Sequence, residues 1–165
     1  MQKMTTPNCF AYSCAMVMGV RVREIFNYVG HDGLETRLED GVSIPRGFHI
    51  QEVMDYALSI GWFMMVIQRE PSMASSPAST PVRVESELLN RAVWHFNGVL
   101  IQHPRADGSR KKSHAIAWDR YTCTGFDPNG FTIHPVPFDR YDLFIAMGRI
   151  IEYLTDESGY QIKKV

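Results

Sequence analysis

The chain of 165 residues has only three cysteines, Cys9, Cys14 and Cys123. An odd number cannot all pair internally, which excludes a disulfide-stapled framework, leaves at least one free thiol and suits a reducing compartment. Charge of one sign is also lacking, since 17 Lys and Arg face 18 Asp and Glu for a net charge of -1. That balance gives no general footprint for nucleic acid, and Arg110-Lys111-Lys112 is too short a basic run to supply one. It reads as a solvated loop tip. No apolar stretch reaches the ~20 residues that span a bilayer, and no basic region followed by a hydrophobic signal segment opens the sequence. The expectation is a cytoplasmic protein with no membrane partner and no nucleic-acid partner. A Gly-rich phosphate loop closed by Lys and Ser/Thr is missing too, so nucleotide hydrolysis has no support.

What is present is enough apolar material for one core. With 45% hydrophobic and 21% charged residues, residues 1–165 are expected to form a single domain. Asn8 is a favoured helix N-cap, and the run from Cys9 to Met18 has no breaker before Gly19, which predicts a helix. Val22 to Val29 predicts a second helix closed by Gly30, and Ile50 to Ile60 a third, amphipathic one closed by Gly61. The polar stretch from Asp32 to Pro45 reads as a loop, as does the Ser-, Ala- and Pro-rich stretch from Pro71 to Pro81. Strands are expected over Trp62 to Ile67, Val99 to Gln102, Ser113 to Trp118, Phe131 to His134 and Arg149 to Leu154. A helix is expected over Glu85 to Phe96 and another around Arg140 to Met147. Helices first and an antiparallel sheet later, with one or two covering helices, define an α+β fold class.

The chemistry of the chain concentrates on a few of these residues. Cys9 falls in the first turn of its helix, where unpaired backbone N–H groups and the positive end of the helix dipole favour a thiolate. The same amides can receive negative charge on a carbonyl oxygen under attack, and the Gln2 side-chain amide could fold back as a second donor. His114 lies on a later strand, and Asp127 stands at a turn beyond it. A cysteine, a histidine and an acid so placed are the parts of a thiol nucleophile system.

The pattern of Gln2, Asn8-Cys9 opening a helix, the strand Gly98-Val99-Leu100-Ile101, Ser113-His114-Ala115-Ile116-Ala117-Trp118 and Phe126-Asp127-Pro128-Asn129-Gly130 resembles the papain-like cysteine peptidases. It is most similar to the branch of the double-glycine leader peptidases of bacteriocin exporters and their free-standing relatives. The resemblance implies a helical part carrying the nucleophile, packed on an antiparallel sheet carrying the histidine and acid. It makes Cys9 the nucleophile, His114 the general base and acid, Asp127 the residue orienting the imidazole and Gln2 the oxyanion donor. A protein or peptide substrate and no cofactor follow from it. The sequence departs from that branch in having Asn8 and Phe10 beside the cysteine, where an acid and a small residue are usual.

Other readings of the same residue types are weaker. Zinc sites present two close ligand pairs, whereas Cys9 and Cys14 are separated by four residues and have no matched second pair, so no metal is expected. Cys14, deeper in the helix, reads as core and Cys123 as structural. His31, His49, His95, His103 and His134 read as surface or satisfied core histidines. Asp139 and Asp142 flank the expected helix start at Arg140, where acids are favoured by the dipole. The alternative to a hydrolase is a binding or inhibitory module that keeps the fold without turnover.

Overall fold

A computed structural model describes residues 7–39, 41–69, 82–84, 86–103, 113–150, 152–156 and 159–163. Among the described residues, four α-helices, α1 (Cys9–Met18), α2 (Val22–Val29), α3 (Ile50–Ser59) and α4 (Ser86–His95), are interspersed with strands, and the class is α+β. Between α2 and α3 lie β1 (Thr36–Glu39) and β2 (Val42–Pro45). Next come β3 (Trp62–Arg69) and β4 (Val82–Val84), and after α4 follow β5 (Asn97–Gln102), β6 (His114–Asp119), β7 (Thr124–Asp127), β8 (Phe131–Ile133) and β9 (Leu143–Arg149). The last pair, β10 (Glu152–Asp156) and β11 (Gly159–Lys163), forms an antiparallel hairpin. The main sheet runs β4-β3-β9-β5-β6-β7-β8; every pairing is antiparallel except that of the edge strand β4 with β3.

Period-two alternation sorts the sheet's side chains into two cores. Val99, Ile101, Ala115, Leu143, Ile145 and Met147 join the buried residues of α1, α2 and α3. Leu100, Ile116, Trp118, Phe144 and Ala146 join Leu89 and Val93 of α4. Helices therefore cover both faces. The small side chains Ala11, Cys14 and Ala15 of α1 and Ala115 of β6 are buried in one cluster, which lets the helix lie close on the sheet. On the opposite face, the Trp118 indole N–H donates to the carbonyl of Val93 at 2.6 Å, tying β6 to α4. The strand that begins at His114 is thus fixed from both sides.

Two expectations fail. The stretch 140–147 is not a helix: Phe138–Arg140 is one 3-10 turn, and β9 occupies the centre of the sheet between β3 and β5. Leu143, Phe144, Ile145, Ala146 and Met147 are all buried, so an unbroken apolar run here marks a strand covered on both faces. Asp139 and Asp142 accordingly do not cap a helix; the Asp142 carboxylate accepts the His103 N–H at 2.9 Å instead. The stretch 32–45 is not all loop either, because β1 and β2 pair from Thr36↔Pro45 to Glu39↔Val42. The expected loops at 71–81 and 110–112 lie outside the described residues. Among the described residues no helix is long and apolar enough to cross a membrane.

Candidate active site

Helix α1 begins at Cys9, with Asn8 in the N-cap position and Gly19, at φ +68°, closing the far end. The first answered amide is that of Tyr12, which donates to the Asn8 carbonyl at 3.2 Å. The N–H groups of Cys9, Phe10 and Ala11 thus have no acceptor inside the helix. Cys9 is half-buried against the core, whereas Cys14 is fully buried. Burial pushes the Cys14 thiol well above the ordinary 9.0, and the nearby Cys9 sulfur adds to the effect.

His114 opens β6, and Asp127 closes β7. The register pairs Ala117 with Phe126, the residue before Asp127, so the antiparallel pairing brings the end of β7 beside the start of β6. Their side chains meet: His114 Nε2 lies 2.7 Å from Asp127 Oδ2. The other carboxylate oxygen, Oδ1, accepts the Asn129 backbone N–H at 2.8 Å and its side-chain amide at 2.7 Å. The Asp127 carbonyl receives the Gly130 N–H at 2.9 Å, and Gly130 takes the left-handed φ of +88° that this turn requires.

With Nε2 committed to Asp127, Nδ1 is the ring nitrogen left for Cys9, whose sulfur lies near enough to the imidazole to act on its charge. That proximity raises the His114 pKa; partial burial opposes it and Asp127 adds to it, bringing the ring from 6.5 to about 9. For Asp127, burial pulls upward, but the Asn129 N–H and the His114 ring outweigh it and hold the carboxyl below its ordinary 3.8. Imidazole and carboxylate therefore form a direct pair, with the Cys9 sulfur near the ring.

Gln2 lies outside the described residues. Cys123 sits apart, half-buried before β7 with its thiol 3.5 Å from the Arg120 carbonyl. His49 and His95 are exposed helix-end residues, and the exposed His134 ring meets the Cys123 carbonyl at 2.9 Å. Among the described residues no three His, Cys, Asp or Glu side chains gather as a metal site.

Asn8, next to the cysteine, has an environment that the sequence did not disclose. Asn8 is only 4% exposed, and its side-chain N–H donates to the Asp32 carbonyl at 3.3 Å. His31 is a satisfied core histidine: Nδ1 accepts the Gly33 N–H at 3.0 Å, so Nε2 carries the hydrogen and donates to Glu52 at 3.2 Å. Phe48 stacks on its ring at 4.8 Å. The asparagine N-cap was legible, but not the turn of its side chain toward a residue 24 positions away. No protein-family model, curated protein or solved structure matches the chain.

Proposed function

We propose that the chain is a cysteine-type hydrolase of the papain-like kind, acting on peptide or isopeptide bonds through an acyl-enzyme. The observation that carries this reading is the 2.7 Å His114–Asp127 pair with Cys9 near its ring, at the amide-rich end of α1. The raised His114 pKa favours an imidazolium at neutral pH, with the Asp127 carboxylate beside it, and the nucleophile in the proposed reaction is the thiolate form of Cys9. The thiolate attacks the substrate carbonyl carbon, and the developing oxyanion meets the free amides of α1. As the tetrahedral species collapses, the C–N bond breaks and the His114 Nδ1 proton passes to the leaving amine. His114, now neutral, takes a proton from water, whose oxygen attacks the thioester. The C–S bond then breaks, releasing the acid and restoring the thiolate–imidazolium pair. Asp127 keeps Nε2 protonated throughout, so Nδ1 always faces sulfur. Phe10, bulky beside the nucleophile, is buried among the core residues, and its volume is spent on packing.

Competitive alkylation tests this reading. Iodoacetamide should modify Cys9 faster than Cys123, and Cys14 should react slowest because it is buried and its thiol is pushed upward. A peptide-like electrophile should label wild type at Cys9 and fail on Cys9→Ala and His114→Ala. Cys9 reacting no faster than Cys123, with no labelling by the peptide-like electrophile, overturns the hydrolase reading and leaves a binding module.

A further inference from the structure

Asn8 occupies the N-cap of α1, where an asparagine side chain ordinarily turns inward to accept an N2 or N3 amide. Here it makes no such bond. Its amide nitrogen donates to the Asp32 carbonyl at 3.3 Å, while its Oδ1 is buried with no hydrogen-bond partner. Exchanging the two amide ends would set oxygen against oxygen at Asp32, so the network fixes this orientation. A buried, unanswered acceptor is costly, and one on the N-cap residue of a helix calls for an explanation.

The structure around Asp32 holds its carbonyl in place. The Leu34 N–H closes onto Asp32 Oδ1 at 2.9 Å, and the Gly33 N–H is held by His31. Gly33 has φ +75°, and a Cβ there would come within 2.7 Å of Phe48, the ring stacked on His31. The Gly33 carbonyl in turn accepts the Gly47 N–H at 3.1 Å. Glu52 holds the far side of His31 and also accepts the His49 N–H at 2.9 Å. A buried histidine, a stacked phenylalanine and two glycines thus fix the carbonyl that draws Asn8 away.

We propose that Asn8 is a positioning residue acting as a withheld cap: Asp32 keeps its side chain off the first-turn amides, leaving that end of α1 open to the negative charge of Cys9 chemistry. The inference rests on the hydrolase reading. A side-chain oxygen seated over Phe10 and Ala11 would answer the amides that stabilise a thiolate and an incoming oxyanion. Drawing the side chain to Asp32 costs the helix this cap and keeps its oxygen out of the place the charge would take.

The test compares neutral substitutions that can and cannot cap. Asn8→Ser and Asn8→Thr lose the tie to Asp32 but carry a capping oxygen, whereas Asn8→Ala loses the tie alone. In the full chain, iodoacetamide at neutral pH should modify Cys9 of the Ser and Thr variants roughly two- to fivefold more slowly than that of the Ala variant, the scale of charge effects at a helix end. The same two variants should melt above Asn8→Ala, because a cap has been gained. Slower alkylation in a more stable protein is a signature that a merely structural role does not give. Equal or faster alkylation in both capping variants, or a rate that simply follows melting temperature across the three, overturns the proposal. If wild-type Cys9 is itself no more reactive than Cys123, the hydrolase reading fails rather than the assignment of Asn8.

Discussion

Asp127 serves two neighbours with its two carboxylate oxygens: Oδ2 faces the His114 ring, and Oδ1 holds the Asn129 amides of the following turn. Asparagine has one acceptor oxygen, so Asp127→Asn can keep one of these services only. Alanine keeps neither. Asp127→Ala is therefore expected to lose about 10- to 100-fold in kcat/KM, below the roughly 100- to 10,000-fold span of an acid–base group itself because Asp127 orients the ring without transferring the proton, and Asp127→Asn less. The pH profile separates orientation from turn-building. Wild-type turnover should fall as pH rises through about 9, where His114 gives up the proton its mechanism needs. Without the carboxylate, that alkaline limb should move to lower pH in Asp127→Ala. Activity and melting temperature measured on the same preparations decide the matter: a folded Asp127→Ala with the wild-type rate and limb would make Asp127 a turn residue only.

The element that holds the site's strands together is the central pair β5 and β9, where Gly98 stands opposite Ala146. A side chain at Gly98 would collide with the carbonyl of Ile145 and crowd the Phe144 ring, so backbone rather than a flexible side-chain tip would have to move. Gly98→Ala should cost about 1–3 kcal/mol in urea unfolding, the usual penalty of overpacking, and should loosen β6 through its pairing with β5. Wild-type stability in that variant would show that the pair yields easily. The Val99 to Gln102 strand was legible because three apolar residues, Val99, Leu100 and Ile101, follow a glycine; β9 was not. Leu143 to Met147 is apolar without alternation, and only the two-sided cover of the finished sheet distinguishes such a strand from a helix. The Asp40-Gly41 pair is a known hairpin signal, yet the short and partly charged flanks of β1 and β2 hide it. Helices α1 to α3 were legible because each carries its own stop, Gly19, Gly30 or Gly61. Cys9, His114 and Asp127 could be named from residue type and order, but the contact between the last two exists only once β6 and β7 pair.

For the molecule as a whole, the same contacts predict how stability depends on pH. Asp127 and Glu52 have folded pKa values held below their ordinary 3.8 and 4.5; for Glu52, burial opposes the shift while the His49 N–H and His31 ring outweigh it. Groups lowered in this way add stability above their unfolded pKa and lose it as pH falls through the folded value. His114 is shifted the opposite way, from 6.5 to about 9. Its contribution is complete below 6.5 and drains away as pH rises through about 9, because over that interval the unfolded chain releases the proton that the folded chain keeps. Cys14, raised well above 9.0, adds a further loss at still higher pH, where the unfolded thiol ionises. Melting temperature should therefore peak at about pH 5 to 6.5, between the carboxylate limb and the histidine limb, and decline toward pH 9. The decline has an assigned source, so it can be removed. His114→Gln should flatten the curve between 6.5 and 9 while leaving the acid limb from Glu52 and the Cys14 loss above 9.0 in place. If wild type and His114→Gln lose stability in parallel across that interval, the imidazole is not held in its charged form by Cys9 and Asp127. The proton on which the proposed chemistry depends would then have to be sought on another group.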